Sequence, residues 1–179
     1  MPKLHDLYTA QLRHAHHYHE VLSEANESFL KGGNSSLEGL ALFDRDRTNI
    51  EHGQRWVSKN MDDDSAAQQL CNSYPISGCA VMSLRLLPRD QIYWIEDALG
   101  VARRLKDRES EGKHLGNLGN AYFTLGEIRT AIKCYDLALG FNQESKDIRS
   151  EANTLGNVGI AYAALGKNGK AVEYHMMAL

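Results

Sequence analysis

Four histidines within six residues, His14, His16, His17 and His19 with Glu20 beside them, are the densest chemistry-bearing group in this 179-residue chain. Imidazoles ligate transition metals, and on a helix His14/His17 and His16/His19 are i, i+3 pairs close enough to share an ion. The stronger His-x-x-x-His spacing is absent, the two pairs sit on different faces, and no Cys or carboxylate nearby is spaced as a third ligand. The spacing therefore favours a part-buried, part-solvated histidine face, with a helical metal-binding protein or metalloenzyme as the alternative. Nucleophile chemistry fares no better: Ser77-Gly78-Cys79 is not a Gly-x-Ser-x-Gly elbow and has no base arranged beside it. Gly166-Lys-Asn-Gly169-Lys170 fails as a phosphate loop, having Ala164 for its first glycine and Ala171 where Ser or Thr would hold magnesium. Gly116-Asn-Leu-Gly119 lacks the third glycine and preceding strand of a dinucleotide fingerprint. The chain reads as a non-enzyme without a cofactor.

The elements that would position any site are announced by a repeat. Leu115-Gly-Asn-Leu-Gly-Asn-Ala-Tyr122 returns as Leu155-Gly-Asn-Val-Gly-Ile-Ala-Tyr162, 40 residues on, and 11 of the 25 positions from Leu115 to Leu139 are identical. A fixed period of this size marks an array whose units bury their apolar faces only by stacking. Leu115, Leu118, Tyr122 and Leu125 lie on one helical stripe, the helix stops at Gly126, and a second stripe runs through Ile128, Ala131, Ile132, Tyr135, Ala138 and Leu139. Each unit is thus a helical hairpin. Gly116 and Gly119 each cost about 1 kcal/mol in a helix interior, an expense that close helix approach at Gly119, Gly159, Ala131 and Ala138 would offset.

The pattern Leu115…Leu118-Gly119…Tyr122…Gly126…Ala131…Tyr135…Ala138 resembles a tetratricopeptide repeat. Its 40-residue spacing, lengthened in the second helix, is similar to the long repeats of Pins-type adaptors, kinesin light chains and the arms of bacterial STAND signalling ATPases. Lys106-Asp107…Ser110-Glu111 recurs as Lys146-Asp147…Ser150-Glu151, while His175 replaces Tyr135 in the second unit. A degenerate unit precedes these, Ala98-Leu99-Gly100 falling where Ala138-Leu139-Gly140 lies; its helices are expected within Ser65 to Leu87 and from Pro88 or Arg89 to Lys106, with Pro75 interrupting the first near Ser73 to Tyr74. Amphipathic helices are expected over about Leu4 to Leu30 and Ser36 to Asn60, and Asp64 or Ser65 can cap the next. Arg13-His-Ala…Tyr18 and Asp46-Arg-Thr-Asn49-Ile50 in these stretches resemble the segment following the nucleotide-binding module of NB-ARC-type STAND proteins.

The resulting expectation is an all-α solenoid of antiparallel hairpins, a superhelix of about eight helices. Residues 1–63 form an N-terminal hairpin, degenerate repeat or cap, 64–109 a degenerate repeat-like hairpin, 110–149 a full repeat and 150–179 an apparently truncated one. A net charge of −3 and a pI of about 6.2 give no basic balance for nucleic acid or an acidic membrane. No apolar run approaches membrane-spanning length, the first residues lack the apolar core of a signal peptide, and Cys71, Cys79 and Cys134 lack CxxC spacing, so the cytoplasm is the expected compartment.

Function is then expected from surface. The resemblance implies a protein or peptide ligand on the inner wall made by the first helix of each unit, at Lys113, Asn117, Asn120, Phe123, Thr124, Asn153, Asn157 and Ile160. Asparagine offers both a donor and an acceptor to an extended peptide and Phe123 an apolar shelf. Asn117 and Asn157 have a second use, hydrogen bonding between repeats, and the sequence leaves both open. Gly116 and Gly156 stand where carboxylate-clamping repeats place a basic side chain. Because the last unit stops at Ala178-Leu179 with no polar cap, a fragment, or self-association through an exposed apolar end, is also expected.

Overall fold

The computed structural model describes residues 4–179. Among the described residues there are nine α-helices and no strand: α1 Leu4–Leu30, α2 Asn34–Asn60, α3 Ser65–Ser77, α4 Cys79–Arg85, α5 Pro88–Leu105, α6 Arg108–Thr124, α7 Ile128–Ser145, α8 Ile148–Ala164 and α9 Asn168–Met177. The fold is all-α, and the chain divides into two compact units, Met1–Leu87 and Pro88–Leu179.

In the first unit α1 and α2 form a long antiparallel hairpin, turned through Gly32 (φ 81°) and Gly33 (φ 60°). The helices approach backbone to backbone at Gly39, where a Cβ would meet the amide nitrogen of Phe29 at 2.6 Å, and at Gly53, against Ala15 and the Tyr74 hydroxyl. Tyr74, fully buried on α3, donates to the Ala15 carbonyl at 2.7 Å and fixes α3 across α1. Asp64 caps α3 by accepting from the Ala67 amide at 2.6 Å.

The expected interruption at Ser73 to Tyr74 falls elsewhere. Pro75 sits inside the last turn of α3, and the helix runs through it to Ser77. The break comes at Gly78, where any Cβ would strike Leu22 at 2.5 Å. Beyond it, the buried Asn26 of α1 accepts from the Ala80 and Val81 amides at 2.9 and 3.1 Å. A side chain from another helix thus supplies the cap that Gly78 cannot give α4, which is why one expected helix becomes two.

In the second unit consecutive helices from α5 to α9 pack antiparallel, and the joints recur with the sequence period. Lys106 (φ 56°) and Lys146 (φ 57°) take the left-handed conformation that ends α5 and α7. The next residues, Asp107 and Asp147, bond back through their amides to the Ala102 and Asn142 carbonyls, and their carboxylates then cap α6 and α8 at the Ser110 and Ser150 amides. Gly126 (φ 87°) and Gly166 (φ 70°) make the other two turns.

Two cores share α7. Ile92, Ile95, Leu99, Leu115, Leu118, Ala121, Cys134 and Ala138 form one among α5, α6 and α7, while Ala131, Ile132, Tyr135, Val158 and Ala161 form the next, with Tyr122 packed against both. Neither core closes within one hairpin, as stacking requires. Close approach holds at Gly119, whose added Cβ would collide with the Tyr135 ring, and at Gly159, against the His175 ring at 2.7 Å. It does not extend to Gly116, which has open space around it, so packing leaves the helical cost of that residue without an offset.

Candidate functional site

Asn120, Phe123 and Thr124 on α6, Tyr135 on α7, and Asn157 and Ile160 on α8 line one cleft of about 180 Å³. Spacing on α6 puts Asn120, Phe123 and Thr124 on a single side, because three and four residues make roughly one turn. The same register on α8 aligns Asn157 with Ile160.

The floor is a three-residue hydrogen-bond network. The Tyr135 hydroxyl donates to Asn120 Oδ1 at 2.8 Å, and Asn157 Nδ2 donates to the same oxygen at 3.2 Å. Asn157 therefore joins neighbouring repeats and lines the cleft at once, through Asn120 and not Asn117. Burial first, with the nearby Cys134 after it, pushes the Tyr135 phenol up to about 12, so it stays a neutral donor. Thr124 Oγ1 donates to the Asn120 carbonyl of its own helix at 3.0 Å. Phe123 packs on the second core with one edge outward, and Ile160 is 50% exposed. No acid, lysine, arginine or histidine lines this cleft.

The eight groove residues expected from sequence do not all converge. Asn120, Phe123, Thr124, Asn157 and Ile160 do. Lys113 is ion-paired with Glu109 one turn away, and the half-buried Asn117 and exposed Asn153 lie outside the cleft lining. The sequence pattern places Tyr135 only in the core stripe. Its ring does pack there, over Gly119, while its hydroxyl reaches through to the cleft. The signal available was chemical: a phenol opposite a glycine can place its polar end on the far side of the contact.

The histidines of α1 do not converge on one point: His14 and His17 share Tyr18, while His16 and His19 turn to other partners. The His14 ring lies 4.6 Å from Tyr18 and 5.2 Å from His52 of α2. His16 faces Glu20 at 3.3 Å, His17 meets Tyr18 at 4.9 Å, and His19 Nε2 is 2.9 Å from Ser77 Oγ with its ring against Tyr74. Burial is the main influence holding both His14 and His19 below the usual histidine value. Among the described residues, no group of three or more His, Cys, Asp or Glu is placed to hold a metal ion.

A stack of antiparallel hairpins whose joints, caps and cores repeat together defines the second unit as a helical-repeat solenoid. Residues 111–179 match the family model described as tetratricopeptide repeat. A comparison with curated protein sequences finds no match. Among solved structures, the chain is similar to the crystal structure of the TPR domain of Arabidopsis FLU, with a TM-score of 0.58 and 20% identity over 62% of this chain and 93% of that one. At that identity the likeness is one of fold.

Proposed function

We propose that this protein is a non-catalytic interaction scaffold that holds an extended peptide segment of a partner protein on the face formed by α6 and α8. The observation that carries the reading is the cleft at the junction of the two repeats: neutral, hydrogen-bonding at its floor and flanked by Phe123 and Ile160. Such a surface offers polar partners to a peptide and apolar contact to its side chains, without any group arranged for proton transfer or nucleophilic attack. Lys113, Asn117 and Asn153 extend the binding surface along α6 and α8 beyond the cleft. The 40-residue spacing supports placement among long tetratricopeptide variants, as in Pins-type adaptors, kinesin light chains and STAND sensor arms, and thus a role in cytoplasmic signalling. No helix among the described residues is long and apolar enough to cross a membrane.

The test is selection of a random-peptide display library on the full chain, followed by affinity measurement on the Asn120→Ala/Phe123→Ala double variant. Both residues are at or near the surface, so far-UV circular dichroism should show the fold intact. Loss of a buried aromatic contact and a hydrogen bond should weaken the selected peptides at least about tenfold. Peptides that bind the variant as well as the parent chain would refute the groove.

A further inference from the structure

The cleft floor has a donor–acceptor pattern more specific than general peptide capture. Asn120 Oδ1 already accepts from both Tyr135 and Asn157, which uses its two lone pairs. That leaves the Asn120 amide nitrogen as donor and Asn157 Oδ1 as acceptor, both carried by residues that line the cleft. The pairing survives a change of amide orientation. Turning both amides over together makes Asn157 the donor and Asn120 the acceptor, and the cleft still presents one of each.

From this pattern we infer that the Asn120–Asn157 pair selects a primary carboxamide, the side chain of Gln or Asn, in the bound peptide; the inference rests on the groove reading above. A carboxamide carries its carbonyl and an N–H on one edge, so it can accept from one asparagine and donate to the other simultaneously. A single trans peptide unit points its N–H and C=O in opposite directions, so the backbone meets both asparagines only through the N–H and C=O of one extended residue, a mode that carries no preference for Gln or Asn at that position. A carboxylate brings two acceptors and sets one of them against the acceptor asparagine. An ammonium brings donors alone and opposes the donor asparagine. No charged residue lines the cleft to reverse either preference. The volume, about 180 Å³, admits a side chain and excludes a helix roughly 10 Å across. Phe123 and Ile160 on either side would cover the methylenes of a glutamine.

The experiment compares the peptides selected on the full chain with those selected on Asn157→Asp. That change removes the amide donor at 157, so the Asn120 amide turns to donate to the new carboxylate and the cleft then shows acceptors only. On the parent chain, groove-dependent peptides should share Gln or Asn at one fixed position. Replacing it by Glu or Lys should cost about tenfold in affinity, the scale of one or two hydrogen bonds. On Asn157→Asp the same position should change to Lys or Arg. Peptides that depend on Phe123 yet show an acidic, basic or purely apolar residue there overturn the carboxamide assignment and leave the groove standing. Failure to obtain any Phe123-dependent peptide overturns both. An unchanged Gln or Asn preference on Asn157→Asp also overturns the assignment, since the amide pair would not be reading it.

Discussion

Gly116 and Gly119 lie on the same helix three residues apart, have the same intrinsic cost, and should respond to alanine with opposite signs. At Gly116 an added Cβ meets nothing within 4 Å, so Gly116→Ala gains the full helix-propensity difference, about 1 kcal/mol. At Gly119 the same methyl would enter the Tyr135 ring. That ring is 2% exposed, packed in the second core, and its hydroxyl is tied to Asn120, so displacing it disturbs both contacts. Overpacking of this kind costs about 1–3 kcal/mol, and displacing the phenol sacrifices a hydrogen bond of about 1 kcal/mol. Against the propensity gain, Gly119→Ala should be destabilising by about 2 kcal/mol. The two variants should therefore differ by about 3 kcal/mol, on the order of 15 °C in melting temperature for a unit of this size. Urea and thermal unfolding followed by far-UV circular dichroism measure the gap, and hydrogen exchange of α6 and α7 localises it. Gly159→Ala is an internal control: its neighbour is the exposed His175, which can swing aside, so the loss should be smaller than at Gly119. Equal destabilisation by Gly116→Ala and Gly119→Ala would refute the assignment of the glycines to different roles.

Asn26→Ala should cost about 1–3 kcal/mol, because it leaves the buried first-turn amides of α4 without their shared acceptor; hydrogen exchange should quicken at Ala80 and Val81, and unchanged protection there would argue against capping from α1. Since His14 and His19 are held below the ordinary 6.5 in the folded chain, the unfolded chain binds their protons more readily. Their contribution is complete above about pH 6.5 and is lost as pH falls through the lowered folded values. The melting temperature should fall between pH 7 and 5, with a shallower fall in His14→Gln/His19→Gln; identical slopes would remove the histidines as the cause. Val172, Met176 and Met177 on α9 are 59, 70 and 58% exposed. Concentration-dependent self-association is expected from that apolar surface, reversed by Val172→Glu/Met176→Glu, and a strictly monomeric sedimentation profile at high concentration would refute it.

Local rules were enough for the helices of the second unit, because each boundary carries its own signal: Pro88 at a start, Gly126 and Gly166 at turns, Asp107 and Asp147 at caps. The break at Gly78 was not legible in the same way. The contacts at the break come from Leu22 and Asn26, more than fifty residues earlier, whereas the local signal, Pro75, lies within the helix. The groove shows the same division. Helical spacing gathers Asn120 with Phe123 and Thr124, but only the packing of α7 under α6 could reveal that a core tyrosine finishes the network.

The repeat returns its joints more faithfully than it returns most of the cleft lining. Of the positions that return after 40 residues, Gly119/Gly159, Ala121/Ala161, Tyr122/Tyr162, Gly126/Gly166, Ala131/Ala171, Lys106/Lys146 and Asp107/Asp147 are turns, caps and close contacts, while Asn117/Asn157 also returns and Asn157 lines the cleft. The departures include Asn120/Ile160, Phe123/Ala163, Thr124/Ala164 and Tyr135/His175, pairs whose first members line the cleft. A stacking unit must conserve the geometry of its joints to add another copy, whereas nothing in stacking requires neighbouring clefts to share chemistry. Ile160 serves as a wall of the cleft because it is not a second Asn120. An amide there would have added another polar group beside Asn157 and removed an apolar side of the cleft.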